Sequence, residues 1–244
     1  MVIKMKSYSE FLNESFNIFK KHDKIVPTNK AEEHLDFDYS HHNEHLKPFD
    51  EEHFHQHAPS INGNLQKKAL DAYKHDSYNM NGSLWGGKNA VHNDDHHIEH
   101  VSALLKSTPA AKKDFHVYTG VKADSERLKG DLHIPAFTSA SADHRIAGLF
   151  SSGKTVEKMK TESGNEKDVN VRHVIKIHVK KGQQVGGYVG DIGQRQHERE
   201  FLINKGHTLH FTGKIEDHVE QDSTFGGTPK IVRIHHATIT PDDE

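Results

Sequence analysis

The 244-residue chain is 33% hydrophobic, with a mean hydropathy of −0.82, enough for one large domain or two small ones with part of the length outside any core. A formal charge of −3 argues against a protein that coats nucleic acid, and the lack of cysteine excludes disulfides and Cys-ligated zinc. No run of about 18 apolar residues exists to span a membrane, and histidine, with 24 residues, is the outlier.

Near the N-terminus, Tyr8, Phe11, Leu12, Ser15, Phe16 and Phe19 recur at helical spacing and predict a short amphipathic helix. The segment lacks the apolar core and small-residue cleavage site of a secretory signal. Residues 20–60 are polar and show little periodicity, which reads as a solvated, partly disordered linker. Its histidines (His41, His42, His45, His53, His55, His57) are irregularly spaced, with no carboxylate placed to complete a repeating site, so no metal centre is expected.

Order begins near Leu65. Leu65, Ala69, Ala72 and Tyr73 form one helical stripe, and Ile98, Val101, Leu104 and Leu105 form another, in a helix over 94–106 closed by Pro109. From Phe115 the period changes to that of strands, predicted over 115–121, 134–138, 171–179, 198–203, 207–211 and 230–239. A short helix over 143–150 intervenes, and the polar segment 151–170 reads as a loop. Helices first and strands later imply an α+β fold.

The stretch from Gly186 to Ile203 carries the chemistry: a Gly-rich loop, then Glu198 and Glu200, then the apolar Phe201–Leu202–Ile203. In an extended strand, side chains at i and i+2 share a face, so the two carboxylates would point the same way and push their pKa values apart. The same pattern also fits a solvated edge strand with Arg199 on its other face.

Further residues complete an ordered set. Ala69–Leu70–Asp71–Ala72–Tyr73 is followed by Ser77–Tyr78–Asn79–Met80–Asn81–Gly82–Ser83–Leu84, then by Phe137–Thr138–Ser139–Ala140–Ser141, then by Gly187–Tyr188 and Glu198–Arg199–Glu200. In this order they resemble the mono-ADP-ribosyltransferases of the arginine–serine–glutamate type, which include clostridial binary toxins and the Alt and Mod enzymes of T4-like phages. The resemblance covers about residues 62–240. It implies N-terminal helices followed by a two-sheet ADP-ribosyltransferase β core, with NAD as substrate. Ala140 stands where the family usually has threonine.

Cleavage of the nicotinamide–ribose bond passes through an oxocarbenium-like centre that needs a nearby carboxylate. The resemblance gives that role to Glu200, with Ser139 fixing its rotamer and Ser141 supporting the strand. Glu198 would orient and help deprotonate an incoming guanidinium, which is otherwise too basic to attack, and a glutamate there points to arginine as acceptor. Tyr118, Thr119, Gly120, Phe137, Ser141 and Arg145 are the expected cofactor-binding positions. Thr119 stands where the family usually places an arginine on the phosphates, and a hydroxyl brings no charge. Arg145 or Arg127, or the backbone, would then take the diphosphate, unless NAD binding is weak or lost.

The segment from Met5, with Leu12–Asn13–Glu14 behind it, resembles capsid-targeting leaders of internal head proteins of large tailed phages. Three regions are therefore expected: a leader over 1–14 cleaved after Glu14, a His-rich linker over 15–61, and a catalytic domain over 62–240. The implied protein is a monomer carried in the virion interior and delivered to the host cytoplasm. It would modify arginine on host transcription or translation proteins, with no membrane or specific nucleic-acid partner. An NAD glycohydrolase and a catalytically inactive head protein that binds a host partner are the alternatives.

Overall fold

The computed structural model describes residues 24–32, 51–85, 95–121, 127–151, 155–192, 198–220 and 230–241. The expected leader and the histidines at 41, 42 and 45 lie outside these residues. Among the described residues, no helix is long and apolar enough to cross a membrane.

The helices are α1 (Glu51–His55), α2 (Asn64–His75), α3 (Ser77–Leu84), α4 (Asp95–Lys106) and α5 (His144–Phe150). The strands are β1 (Phe115–Val121), β2 (Asp131–Ile134), β3 (Thr138–Ser141), β4 (Thr155–Lys160), β5 (Glu166–Val179), β6 (Gly186–Tyr188), β7 (Glu200–Ile203), β8 (His207–Glu220) and β9 (Lys230–Pro241). Their hydrogen-bonded order is β2-β8-β9-β5-β1-β3-β7-β6, with β4 paired to β5. This is the α+β architecture expected. The two halves of the β core meet at the partner pair Tyr118↔Ser141 between β1 and β3, which joins them into one continuous path.

Strand β7 is buried on both faces, and its alternation splits the core. Phe201 and Ile203 join Phe115, Val117, Ile175 and Ile177 on one side. Leu202 faces the other, where Leu70, Tyr73, Met80, Val101, Leu104 and Leu105 bring α2, α3 and α4 together over it. The apolar stripes of α2 and α4 recur every three to four residues and pack against each other there. Glu200, two residues before Leu202, thereby faces the helices.

Two glycines permit contacts that any side chain would block. A Cβ on Gly120 would sit 2.3 Å from the Ala147 carbonyl oxygen, so its absence lets α5 lie directly on β1. A Cβ on Gly186 would meet the Leu202 carbonyl oxygen at 2.1 Å, where β6 pairs with β7.

Several expectations are corrected. The single strand over 134–138 is two, because Pro135 offers no backbone donor, and the chain passes from β2 to β3 there. The presumed loop over 151–170 holds the β4–β5 hairpin. In β4 only Met159 is buried and Val156 is 64% exposed, so this strand carries almost no apolar alternation to read. Strand β8 runs past Phe211 through an irregularity at Phe211/Ile215 that includes Gly213 at φ 79°.

Residues 24–32 and 51–61, read as linker, are seated on the core. Ile25 bridges to Thr161 and Lys30 to Asp217, and the Asp217 carboxylate accepts from the Asn29 backbone and side chain at 3.1 and 3.0 Å. In α1 and its turn, His53, Phe54 and His57 pack with Phe115, while Phe54 also meets Tyr188 and Phe201. Burial pushes the His57 imidazole below its ordinary value. These histidines serve as aromatic core residues, which hydropathy alone does not register.

Candidate active site

The site forms where β3 and β7 run side by side. Their antiparallel register places Ser139 opposite Leu202 and Ser141 opposite Glu200, so all four side chains share the face turned toward α2. The Ser139 hydroxyl donates to Glu200 Oε1 across the diagonal at 2.5 Å. The Ser141 hydroxyl donates to the Glu198 carbonyl at 2.9 Å and accepts from the Asp143 amide at 3.0 Å, tying the end of β3 to the turn that precedes β7.

That turn departs from the extended geometry expected. Strand β7 begins at Glu200, and Arg199 adopts φ 48°. The left-handed residue breaks the period of two between Glu198 and Glu200, so the same-face argument for a continuous strand does not hold. Glu198 is half-buried and still influences its neighbour through charge.

Glu200 is only 5% exposed. Burial pushes its carboxyl above the ordinary value. The Ser139 hydrogen bond and the Lys74 ammonium oppose that push, while the Glu198 charge adds to it. Lys74 lies behind the carboxylate, with Nζ 3.7 Å from Glu200 Oε2. It donates to the Val189 and Ile192 carbonyls at 2.9 and 2.8 Å.

The remaining predicted positions are distributed differently. Thr119 is buried on β1 and donates to the Ser139 carbonyl at 2.9 Å, so its hydroxyl braces the serine strand. Tyr118 packs against the Ala147, Val174, Val232 and Ile234 cluster, with the His144 ring 5.7 Å away and Lys176 Nζ 5.9 Å from its centroid. Gly120 lies under α5. Phe137 is buried with its ring edge-on to Tyr73 at 5.6 Å, and its carbonyl accepts from Asn81 Nδ2 at 3.0 Å.

Arg145 is held by Asp143, which accepts from its amide, Nε and Nη2 at 3.0, 2.9 and 2.6 Å. Arg199 reaches the same carboxylate at 3.2 Å. Burial pushes the Asp143 carboxyl up, but the hydrogen bonds and charge of Arg145 outweigh it and hold the group below its ordinary value. Asp143 also caps α5. Two guanidiniums thus meet at Asp143, whose amide is tied through the Ser141 hydroxyl to the Glu198 carbonyl. Arg127 is exposed, ahead of β2.

Ser139, Ser141, Glu198 and Glu200 therefore come together, with Thr119 joined through the Ser139 backbone. Sequence reasoning missed Lys74, Asn81, Asp143 and Arg199. The first two sit in or next to the Ala-Leu-x-x-Tyr and Ser-Tyr-x-x-Asn segments that it had singled out. Among the described residues, no group of three or more His, Asp or Glu side chains is arranged to hold a metal ion.

A buried glutamate anchored by serine at a strand start, beside a second carboxylate, is the arrangement of a site that handles a developing cation. A family model described as ADP-ribosyltransferase exoenzyme matches residues 39–226, and the chain belongs to that family. The matched region takes in α1, in keeping with the packing of that segment on the core. The enzymatic component C2-I of the C2-toxin from Clostridium botulinum is similar in fold, with a TM-score of 0.52 and 18% identity over 79% of this chain and 48% of that one. An ADP-ribosylating toxin of C. perfringens, BECa, solved with NADH, gives a TM-score of 0.52 and 17% identity over 73% of this chain and 44% of its own. The chain spans less than half the length of these toxin components, and no curated protein matches it in sequence.

Proposed function

We propose that this chain is an NAD-dependent mono-ADP-ribosyltransferase that modifies arginine side chains of host proteins. The observation that carries this reading is the Ser139–Glu200 hydrogen bond in a buried, Lys74-backed setting with Glu198 alongside, in a chain of this family. When the bond between ribose C1′ and the nicotinamide nitrogen breaks, its electron pair leaves with nicotinamide and positive charge develops at C1′. The Glu200 carboxylate stabilises that charge, and Ser139 holds the carboxylate in place. A guanidinium nitrogen then forms the new bond to C1′ while Glu198 takes its proton, which an unassisted arginine would not release near neutral pH.

The leader-like segment from Met5 to Glu14 supports carriage in a phage head and delivery with the DNA. Host transcription or translation proteins are then the acceptors, met in the host cytoplasm by a monomer. One observation favours a second reading. The Thr119 hydroxyl is engaged with the Ser139 carbonyl and brings no charge for a diphosphate, as expected of an inactive head protein that binds a host partner.

The test is incubation of the purified protein, and of Glu200→Ala, with labelled NAD and a host lysate. Labelled bands whose modification maps to arginine, formed by the wild type only, are the expected result. Nicotinamide release without bands indicates a glycohydrolase. No label, no nicotinamide and no NAD binding by calorimetry would establish the inactive reading.

A further inference from the structure

We infer that Lys74 is a positioning residue for Glu200: its ammonium joins α2 to the Val189–Ile192 turn and holds the Glu200 carboxylate ionised and directed at Ser139. The inference rests on the proposed transferase reading. Lysine is seldom fully buried without partners, yet the Lys74 side chain is 3% exposed. An ammonium has three N–H donors. Two are met by the Val189 and Ile192 carbonyls at 2.9 and 2.8 Å. The third faces Glu200 Oε2 at 3.7 Å, an ion-pair distance rather than a hydrogen bond. Its position in the last turn of α2 also suits a cation at a helix C-terminus.

Among the described residues, the groups facing Glu200 come from three places. Lys74 and the buried Tyr73 phenol project from α2, Ser139 from β3, and Glu198 from the turn before β7. Burial drives the phenol pKa up, so Tyr73 is neutral at physiological pH. Glu198 is a like charge, and among the described residues Lys74 is the cation that, with the Ser139 hydrogen bond, opposes the push from burial and repulsion. The same ammonium pins the Val189–Ile192 turn.

The test uses the full chain with 13C-carboxyl-labelled glutamate, titrated by NMR, the Glu200 signal being identified by its loss in Glu200→Gln. Lys74→Gln keeps an amide donor for the turn carbonyls and removes the charge, while Lys74→Arg keeps the charge. In Lys74→Gln the Glu200 midpoint is expected to rise by about one pH unit or more and to return toward wild type in Lys74→Arg. An unchanged midpoint in Lys74→Gln, with folding confirmed by circular dichroism, overturns the inference. If that variant does not fold, the titration is read in Lys74→Met, and Lys74→Arg with the wild-type midpoint supports the charge role. Nicotinamide release against pH is the second readout. The acid limb moves up in Lys74→Gln, whereas an equal loss at every pH would show a merely structural role. A wild type that releases no nicotinamide sinks the transferase reading, while the NMR titration still decides what Lys74 does.

Discussion

The Thr119 hydroxyl donates a 2.9 Å hydrogen bond to the Ser139 carbonyl, linking β1 to the strand that carries the serine partner of Glu200. The bond stands beside the Tyr118↔Ser141 pair where the two halves of the sheet join. Thr119→Val preserves the shape and deletes the donor. It is expected to lower stability by about 1 kcal/mol, measured by urea unfolding. If stability is unchanged, the hydroxyl is not bracing β3.

Ser139→Ala removes the donor that opposes burial at Glu200. The Glu200 carboxyl, already above its ordinary value, should rise further, so a larger fraction is protonated near neutral pH. Nicotinamide release is then expected to fall by a factor of about ten to a hundred, with its acid limb shifted upward. A loss equal at all pH values would argue against a role through Glu200.

Gly120→Ala forces a methyl group to within 2.3 Å of the Ala147 carbonyl oxygen and 2.5 Å of the Ser151 amide nitrogen. Both are backbone atoms of α5 and its C-cap, so relief requires moving the helix. A loss of about 2 to 3 kcal/mol is expected, read as a lower urea midpoint at unchanged slope.

Acid should destabilise the fold through buried histidine. His235 accepts or donates one hydrogen bond to His173 at 3.0 Å, and its pKa is lowered from 6.5 to about 4 by burial first, then by His173 and Arg233. The unfolded chain therefore binds a proton at this site between those values while the native chain does not. Stability falls as pH drops through 6.5 toward 4, by at most about 3 kcal/mol from this group. Thermal melts of wild type and His235→Gln across that range should show a shallower pH dependence in the variant. Parallel curves would place the acid sensitivity elsewhere.

Much of the site was legible in the chain before folding was considered. Ser139 and Glu200, expected as partners, are hydrogen-bonded, and Tyr73 and Asn81 from the two helix segments pack nearby against Phe137. Boundaries were less legible, and for specific reasons. Histidines 53 and 57 score as polar yet pack as aromatic rings, so residues 51–61 read as linker. Strand β4 is an edge strand with one buried side chain, so no alternation marks it. The left-handed Arg199 has no sequence signature, since arginine is not a residue that favours that conformation.

The sequence by itself determined the class of fold, the presence of a Glu-x-Glu pair before a buried strand, and the serine pair that precedes it. Those follow from local periodicity and residue chemistry, which act over a few residues. Only the tertiary structure decided which groups surround Glu200. Lys74 reaches it from a helix over a hundred residues away, and the Thr119 hydroxyl is committed to Ser139 because β1 and β3 lie side by side. The ionisation of a buried carboxylate depends on the burial and charges gathered around it, and the folded packing, not the order of residues, supplies both.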